Sequence, residues 1–226
     1  MPSDRFEFTD ETFSYIGREI FTEVVAGVTK MLEKHWNALF LYGTLGYGKS
    51  HVLAALACYL IRRGEEVVYL PDCRAMLQNF VEYTKAALLL TFANSVELQE
   101  KVVELRDEQD IEDFLKEHDH SKRLFIIVDQ MNALEEDMEE NRDQIHNETK
   151  RHVSIWLNKI SFGRRFIKSA SANYTTFRHM QQKQTNDIKI EAQGGFSTVS
   201  NRDYKIPFLG DADNCPAGDA GMVEEE

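Results

Sequence analysis

The chain has 226 residues, of which 42% are hydrophobic and 28% are charged. This length is enough to bury the core of one α/β domain. Its net charge of −12 argues against non-specific attraction to nucleic acid, and no apolar run approaches the roughly 20 residues of a membrane span. Cys58, Cys73 and Cys215 lie far apart without metal-ligand spacing, so a disulfide framework is not expected. The N-terminus lacks a signal-peptide pattern, which favours an intracellular protein with no membrane partner.

The first predicted element is an amphipathic helix. Apolar residues recur at helical spacing from Ile20 to Leu32. We expect residues 1–36 to form an N-terminal segment and a helix that packs on the core of the domain.

The stretch 43–50, Gly-Thr-Leu-Gly-Tyr-Gly-Lys-Ser, fits the phosphate-binding loop pattern G-x-x-x-x-G-K-[ST] at every fixed position. The apolar run 38–42 enters it as a strand, and a helical pattern follows it until Gly64. This context favours a nucleotide site over the alternative, a glycine-rich turn with a surface lysine. The residues expected to bind the nucleotide here are Gly43, Thr44, Leu45, Gly46, Tyr47, Gly48, Lys49, Ser50 and His51.

The chemistry explains this spacing. Glycines let the backbone turn its N–H groups toward the β- and γ-phosphates. Lys49 adds a positive charge against the same oxygens, and the Ser50 hydroxyl can ligate Mg²⁺. The pattern therefore predicts a nucleoside triphosphate and Mg²⁺ as ligands, and the lack of an Asn-Lys-x-Asp guanine-reading motif favours ATP.

A second strand is predicted over 67–70, where an apolar run ends at Pro71. A long helix over about 74–94 and shorter helices over 96–105 and 111–116 are expected to follow it. These helices decorate one side of the sheet.

The run 124–128 is wholly apolar and ends at Asp129. A buried strand followed by an aspartate describes the position that holds Mg²⁺ and its water in phosphate-loop NTPases, so we expect Asp129 to be a metal partner and a catalytic residue. Gln130 follows it; glutamine can orient a water but accepts a proton poorly, so hydrolysis is expected to be weak. The acidic run 135–140 could supply another base, but a solvated loop explains it more simply.

The remaining predicted elements are a helix over 149–160 and strands over 165–171 and 187–192. The complete prediction is an α/β, three-layer P-loop NTPase sandwich of about five mainly parallel strands with helices on both faces. The NTPase domain is expected to cover 37–209 without a helical lid after its fifth strand, and the acidic segment 210–226 is expected to be a disordered tail.

Several of these features resemble ATPases of the AAA+ and STAND classes. The segment Tyr15-Ile16-Gly17-Arg18-Glu19 is similar to one that lies against the adenine in those proteins, which implies that Tyr15 and Ile16 contact the base. An ordinary helix N-terminus is the alternative. The resemblance also implies that one strand lies between the loop strand and the aspartate strand and ends in a residue that senses the γ-phosphate. Ser171 or Asn173 would have this role. The alternative is a simple transition from strand to loop. Where those ATPases usually have Glu, this chain has Gln130.

A narrower resemblance is to the NTPase module of crinkler-type effectors. It rests on 41–51, 67–74 and 128–130, and it extends over roughly 13–196. It implies action in the cytoplasm or nucleus of a host. The nuclease activity of that family is not implied, because no residues here match its nuclease segment.

The function predicted from these residues is Mg²⁺-dependent ATP hydrolysis, with Lys49, Asp129, Gln130, Ser171 and Asn173 as catalytic residues. One alternative is a nucleotide-gated interaction module that binds ATP with little turnover. Phosphotransfer to a small acceptor is a third, for which no acceptor set was found. A homo-oligomer or a protein partner is compatible with all three. Arg178 is an arginine that could serve as a finger, either within its own chain or toward a neighbouring one.

Overall fold

The computed structural model describes residues 8–9, 12–16, 19–34, 38–118, 124–136, 145–171, 187–192, 203–207 and 223–224. Five of its strands form one sheet in the order β4-β5-β6-β3-β7, and every neighbouring pair is parallel. The strands are β3 (Ala38–Gly43), β4 (Glu66–Leu70), β5 (Leu124–Val128), β6 (Arg165–Ser171) and β7 (Ile188–Ala192). The predicted α/β fold with five parallel strands is therefore confirmed.

Helices cover both faces of this sheet. Successive side chains of a strand point to opposite faces, so the apolar strands present an apolar surface on each side. Leu39 and Leu41 belong to a core shared with α1 and α2, whereas Phe40 and Tyr42 belong to the core on the other face. The helices are α1 (Glu19–Lys34), α2 (Lys49–Arg62), α3 (Cys73–Met76), α4 (Phe80–Thr91), α5 (Val96–Glu104), α6 (Glu108–His118) and α7 (Asn147–Ser161). The last five pack on the second face, which gives the predicted three layers.

Helix α1 approaches the sheet closely at Gly27. A Cβ atom there would lie 2.8 Å from Leu39 Cδ1 and 3.1 Å from Ile190 Cδ1. The predicted apolar stripe of this helix is buried, with Val24 fully inaccessible to solvent. The helix thus packs across β3 and β7, directly behind the strand that leads into the phosphate loop.

The predicted single helix over 74–94 is wrong. Two helices, α3 and α4, replace it, and residues 77–79 separate them. The side chain of Asn79 accepts a hydrogen bond from the backbone N–H of Glu82 at 3.2 Å, so Asn79 starts a new helix. The predicted helices over 96–105 and 111–116 are present as α5 and α6.

Four further strands form a separate sheet in the order β1-β2-β8-β9, and all of its pairs are antiparallel. They are β1 (Phe8–Thr9), β2 (Thr12–Ile16), β8 (Asp203–Pro207) and β9 (Val223–Glu224). None of them was predicted. Strand β2 lies in the N-terminal segment, and β9 lies in the segment 210–226, whose other residues are outside the described part of the chain. Among the described residues, no helix has both the length and the apolar character needed to cross a bilayer.

Candidate functional site

The predicted phosphate loop joins β3 to α2. Gly43, Gly46 and Gly48 have φ angles of 145°, 86° and 68°, in a region that residues with a Cβ rarely adopt. Gly43 is further constrained by packing, because a Cβ there would lie 2.5 Å from the carbonyl oxygen of Ala192 on β7. The glycines of the motif therefore give the loop its path, and helix α2 starts at Lys49 as the motif requires.

The Lys49 side chain folds back over the loop. Its Nζ donates hydrogen bonds to the carbonyl oxygens of Gly43 at 2.9 Å and Thr44 at 2.8 Å. Burial lowers the pKa of Lys49 below its ordinary value, and the negative charge of Asp129 opposes part of that shift. The loop thus holds a desolvated cation where phosphate oxygens would arrive.

Asp129 lies immediately after β5 and is 1% exposed. Its backbone N–H donates to the carbonyl oxygen of Leu70 at 2.9 Å, which fixes it to the end of β4. Its Oδ1 accepts from the backbone N–H of Gln130 at 2.8 Å and from the hydroxyl group of Ser169. Its Oδ2 is buried and has no hydrogen-bond partner among the described residues. A buried carboxylate oxygen without a partner is costly unless a ligand satisfies it.

Ser169 is a site residue that the sequence analysis did not select. Strand β6 lies between β5 and β3 and is parallel to both. Lys168 pairs with Val128 in this register, so the next residues along the two strands, Ser169 and Asp129, also lie side by side. The signal in the sequence was the polar end of the 165–171 strand, but the residue that reaches the aspartate lies two positions earlier than the predicted Ser171. The backbone of Ser171 pairs with Gly43, whereas its side chain and all of Asn173 and Arg178 lie outside the described part of the chain.

Gln130 has φ 62° and ψ 42°, and it is the one residue other than glycine with positive φ among those described. Its backbone N–H lies 3.4 Å from the Ser169 hydroxyl oxygen in addition to its bond to Asp129. This left-handed turn redirects the chain from β5 into the short 3-10 helix Met131–Leu134. Nearby Glu136 instead forms an exposed bidentate pair with Arg151, with N–O distances of 2.9 and 3.1 Å.

A cavity of about 510 Å³ connects these elements at the carboxyl ends of the parallel strands, where open α/β sheets bind ligands. Its lining contains predicted and unpredicted residues. The predicted ones are Leu45, Gly46, Gly48, Lys49, Ser50, His51, Asp129 and Gln130. The unpredicted ones are Arg74, Asn132, Ser169 and Ala170.

Five residues predicted to bind the nucleotide are not in the lining. Gly43 and Thr44 begin the loop, and their carbonyl oxygens accept hydrogen bonds from Lys49. Tyr47 packs against the core on the α1 and α2 face. Tyr15 and Ile16 belong to β2, and their side chains are outside the described part of the structure. Their predicted contact with adenine therefore stays a prediction.

The residues predicted to hold Mg²⁺ fit such an ion. Ser50 and Asp129 line the same cavity, and Asp129 Oδ2 is a buried oxygen whose bonding capacity is unused. Carboxylate and hydroxyl oxygens, supplemented by water, are the ligands that Mg²⁺ takes in proteins. The described residues contain no cluster of three or more His, Cys, Asp or Glu side chains, so a metal cage built wholly from such groups is not found there.

Solved structures similar to this chain share little sequence with it. AMPPCP-bound DnaA from Aquifex aeolicus is 17% identical, with a TM-score of 0.42 over 78% of this chain and 48% of that one. The Aeropyrum pernix ORC2 protein in ADPNP-ADP complexes is 10% identical, with a TM-score of 0.43 over 77% and 47%. PCH-2 from C. elegans is 16% identical, with a TM-score of 0.40 over 76% and 42%. The chain thus spans less than half the length of each.

No curated protein sequence matches the chain. The family model described as the bacterial DnaA ATPase domain matches residues 5–140, which is more than half of the chain. That range contains the phosphate loop, Asp129 and all the helices between β4 and β5. The chain therefore belongs to the bacterial DnaA ATPase domain family of AAA+ P-loop NTPases.

Proposed function

We propose that this protein binds ATP with Mg²⁺ and hydrolyses it slowly. The observation that carries the proposal is that a positively charged and a negatively charged side chain line the same cavity. Lys49 on the loop supplies a cation for phosphate oxygens, and Asp129 supplies a buried carboxylate oxygen without a partner. A triphosphate with its magnesium ion satisfies both groups at once.

The residues of the chain have distinct tasks in this proposal. The loop amides and Lys49 hold the phosphates, and the Lys49 ammonium exchanges its loop carbonyls for phosphate oxygens when the nucleotide binds. Ser50 and Asp129 would hold Mg²⁺, and the ion would neutralise charge that develops on the transferred phosphoryl group. Ser169 and the Gln130 amide fix the Asp129 carboxylate in place.

Slow turnover follows from the residue after the aspartate. Gln130 can orient a water molecule toward the terminal phosphate, but its amide cannot take up the proton. No glutamate is among the cavity-lining residues in the described part of the chain. This same observation favours the second candidate function, a nucleotide-gated interaction module in which bound ATP persists.

Finer features of the proposal rest on sequence resemblance. Tyr15 and Ile16 would contact adenine, and Ser171 or Asn173 would sense the γ-phosphate. The similarity to crinkler-type effector modules suggests a host cytoplasmic or nuclear setting and a protein partner or a homo-oligomer. Nucleotide binding at the phosphate loop does not depend on any of these finer features.

The decisive experiment follows binding of Mg-ATP and release of ADP by the purified protein. Lys49→Ala and Asp129→Asn are the test variants, and Lys101→Ala is the matched control, because Lys101 is an exposed surface lysine paired only with Glu97 in the described residues. We expect the wild-type and Lys101→Ala proteins to bind ATP and release ADP, and both test variants to lose ADP release. Binding without ADP release would favour the gated module. Wild-type affinity in Lys49→Ala would overturn the site assignment.

A further inference from the structure

Arg74 lines the cavity but belongs to neither the phosphate loop nor the β5 end. It lies in the first turn of α3, immediately after β4. The Asp72 side chain caps this turn by accepting hydrogen bonds from the backbone N–H groups of Arg74 at 2.8 Å and Ala75 at 3.1 Å. These bonds hold the Arg74 backbone at the edge of the site and leave its side chain to the cavity.

The start of α3 is also tied to the aspartate strand. Leu70 pairs with Val128 in the register of β4 and β5, and the Asp129 N–H donates to the Leu70 carbonyl oxygen. The polypeptide that carries Arg74 therefore leaves the sheet directly beside Asp129. Its position relative to the metal-binding carboxylate is fixed by backbone hydrogen bonds rather than by a side-chain contact.

The guanidinium group of Arg74 has no ion pair or hydrogen bond in the described part of the chain. Three other arginines there are engaged. Arg151 pairs with Glu136, Arg165 with Glu65, and Arg164 donates to the carbonyl oxygens of Ile160 and Leu115. Arg74 is exposed and presents its charge to the same space as Lys49. A guanidinium group is suited to bidentate binding of phosphate oxygens.

Sheet order decides which phosphate Arg74 meets. Strand β4 is three positions from β3 in the sheet, which is about 14 Å at the usual strand spacing. The phosphate loop and Arg74 thus lie at opposite sides of the cavity, with Asp129 and Gln130 between them. A triphosphate anchored on the loop extends its terminal phosphate toward Asp129, and a diphosphate ends before reaching that side.

We propose that Arg74 binds the terminal phosphate of the nucleoside triphosphate, so that the chain distinguishes tri- from diphosphate with a cation of its own. This inference rests on the proposed nucleotide site. Arg178 lies outside the described residues, so its possible role as a finger stays a separate prediction.

The test measures the affinity of the purified chain, with Mg²⁺, for ADP and for a non-hydrolysable ATP analogue. The variants are Arg74→Gln, which removes the charge, and Arg74→Lys, which keeps the charge but not the planar fork. Arg106→Gln is the matched control, because Arg106 is exposed and lies outside the cavity lining. Melting curves of all variants establish that each is folded.

We expect Arg74→Gln to weaken binding of the ATP analogue by about tenfold or more while ADP affinity stays within about twofold of wild type. Arg74→Lys should fall between, and Arg106→Gln should match the wild type. Equal losses for both nucleotides, or none, would overturn the inference and leave the proposed function standing. A wild-type protein that binds neither nucleotide would instead overturn the proposed function itself.

Discussion

The hydroxyl group of Ser169 donates a hydrogen bond to Oδ1 of Asp129 and so joins the ends of two neighbouring parallel strands. Together with the Gln130 N–H, it satisfies one oxygen of the carboxylate, whereas Oδ2 has no partner in the part of the chain that the structure describes. A carboxylate fixed through one oxygen presents the other in a single orientation. Preorganisation of this kind spares the site a reordering cost when a metal ion binds.

Ser169→Ala tests this arrangement through stability. The variant leaves a buried carboxylate short of one donor, so we expect the free energy of unfolding to fall by about 1.5–3 kcal/mol. Ser161→Ala is the matched control, because that buried hydroxyl donates to the neutral carbonyl oxygen of Asn158 within its own helix. Urea unfolding of both variants decides the matter. A loss in Ser169→Ala no larger than that in Ser161→Ala would contradict the role assigned to the bond.

Two loop glycines provide a second comparison. Gly43→Ala would place a Cβ 2.5 Å from the Ala192 carbonyl oxygen, whereas a Cβ at Gly46 meets nothing within 4 Å. Both have positive φ, so Gly46→Ala should cost about 1–2 kcal/mol from backbone strain alone. Gly43→Ala adds a clash between β3 and β7, so its loss of unfolding free energy should reach about 2–5 kcal/mol. Equal losses in denaturant unfolding would show that the close approach to β7 does not constrain this residue.

Local sequence patterns account for the features that were predicted correctly. The strand, the glycine loop and the helix that begins at Lys49 are contiguous, and the apolar run before Asp129 is itself a complete signal. Residues that are adjacent in sequence carried each of these predictions. The break between α3 and α4 was also local, since Asn79 is a good N-cap residue, but the apolar periodicity on both sides of it masked this signal.

Pairing between distant segments accounts for what was missed. Ser169 contacts Asp129 because β6 lies between β5 and β3 in one particular register, and a single sequence does not specify that register. The antiparallel sheet pairs 12–16 with 203–207, and strands of two to five residues carry too little alternation to be recognised. Arg74 was missed for the same reason, because it lines the cavity only through the pairing of β4 with β5, which brings it beside Asp129.

Gln130 supports a prediction about backbone strain. A left-handed conformation costs a residue with a Cβ about 1–2 kcal/mol. Glycine avoids this strain, but it loses more backbone entropy on folding, which offsets part of the stabilisation. We therefore expect Gln130→Gly to raise the free energy of unfolding by up to about 1 kcal/mol. Gln130→Ala is the control, because alanine keeps the strain. If the glycine variant is no more stable than the alanine variant in thermal melts, the strain at this turn is negligible.

The same position tests the proposed limit on hydrolysis. Gln130→Glu supplies a carboxylate that can accept a proton, and general-base catalysis contributes about 100-fold or more where a base is well placed. We expect faster ADP release with nearly unchanged ATP affinity. Gln130→Asn, which cannot accept the proton either, is the control and should remain slow. An unchanged rate in Gln130→Glu would mean that the lack of a base at this position does not limit turnover.

The buried ammonium group of Lys49 makes the stability of the chain depend on pH. Burial lowers the pKa of Lys49 in the folded chain, so in the alkaline window below its ordinary value the unfolded chain binds more protons than the folded one. Stability contributed through this group must therefore rise as the pH increases through that window. We expect the difference in unfolding free energy between wild type and Lys49→Met to shift in favour of wild type from neutral pH to about pH 10.

Nucleotide should remove this slope. Phosphate oxygens around the ammonium favour its charged form, which returns the pKa of Lys49 toward or above its ordinary value. With saturating Mg-ATP, the rise that Lys49 contributes to the stability of the wild-type chain should then disappear from the alkaline window. Lys30→Ala serves as the control, since Lys30 is an exposed lysine outside the cavity lining and its removal should leave both pH profiles unchanged. A rise of the same steepness with and without Mg-ATP would mean that Lys49 does not contact the phosphates.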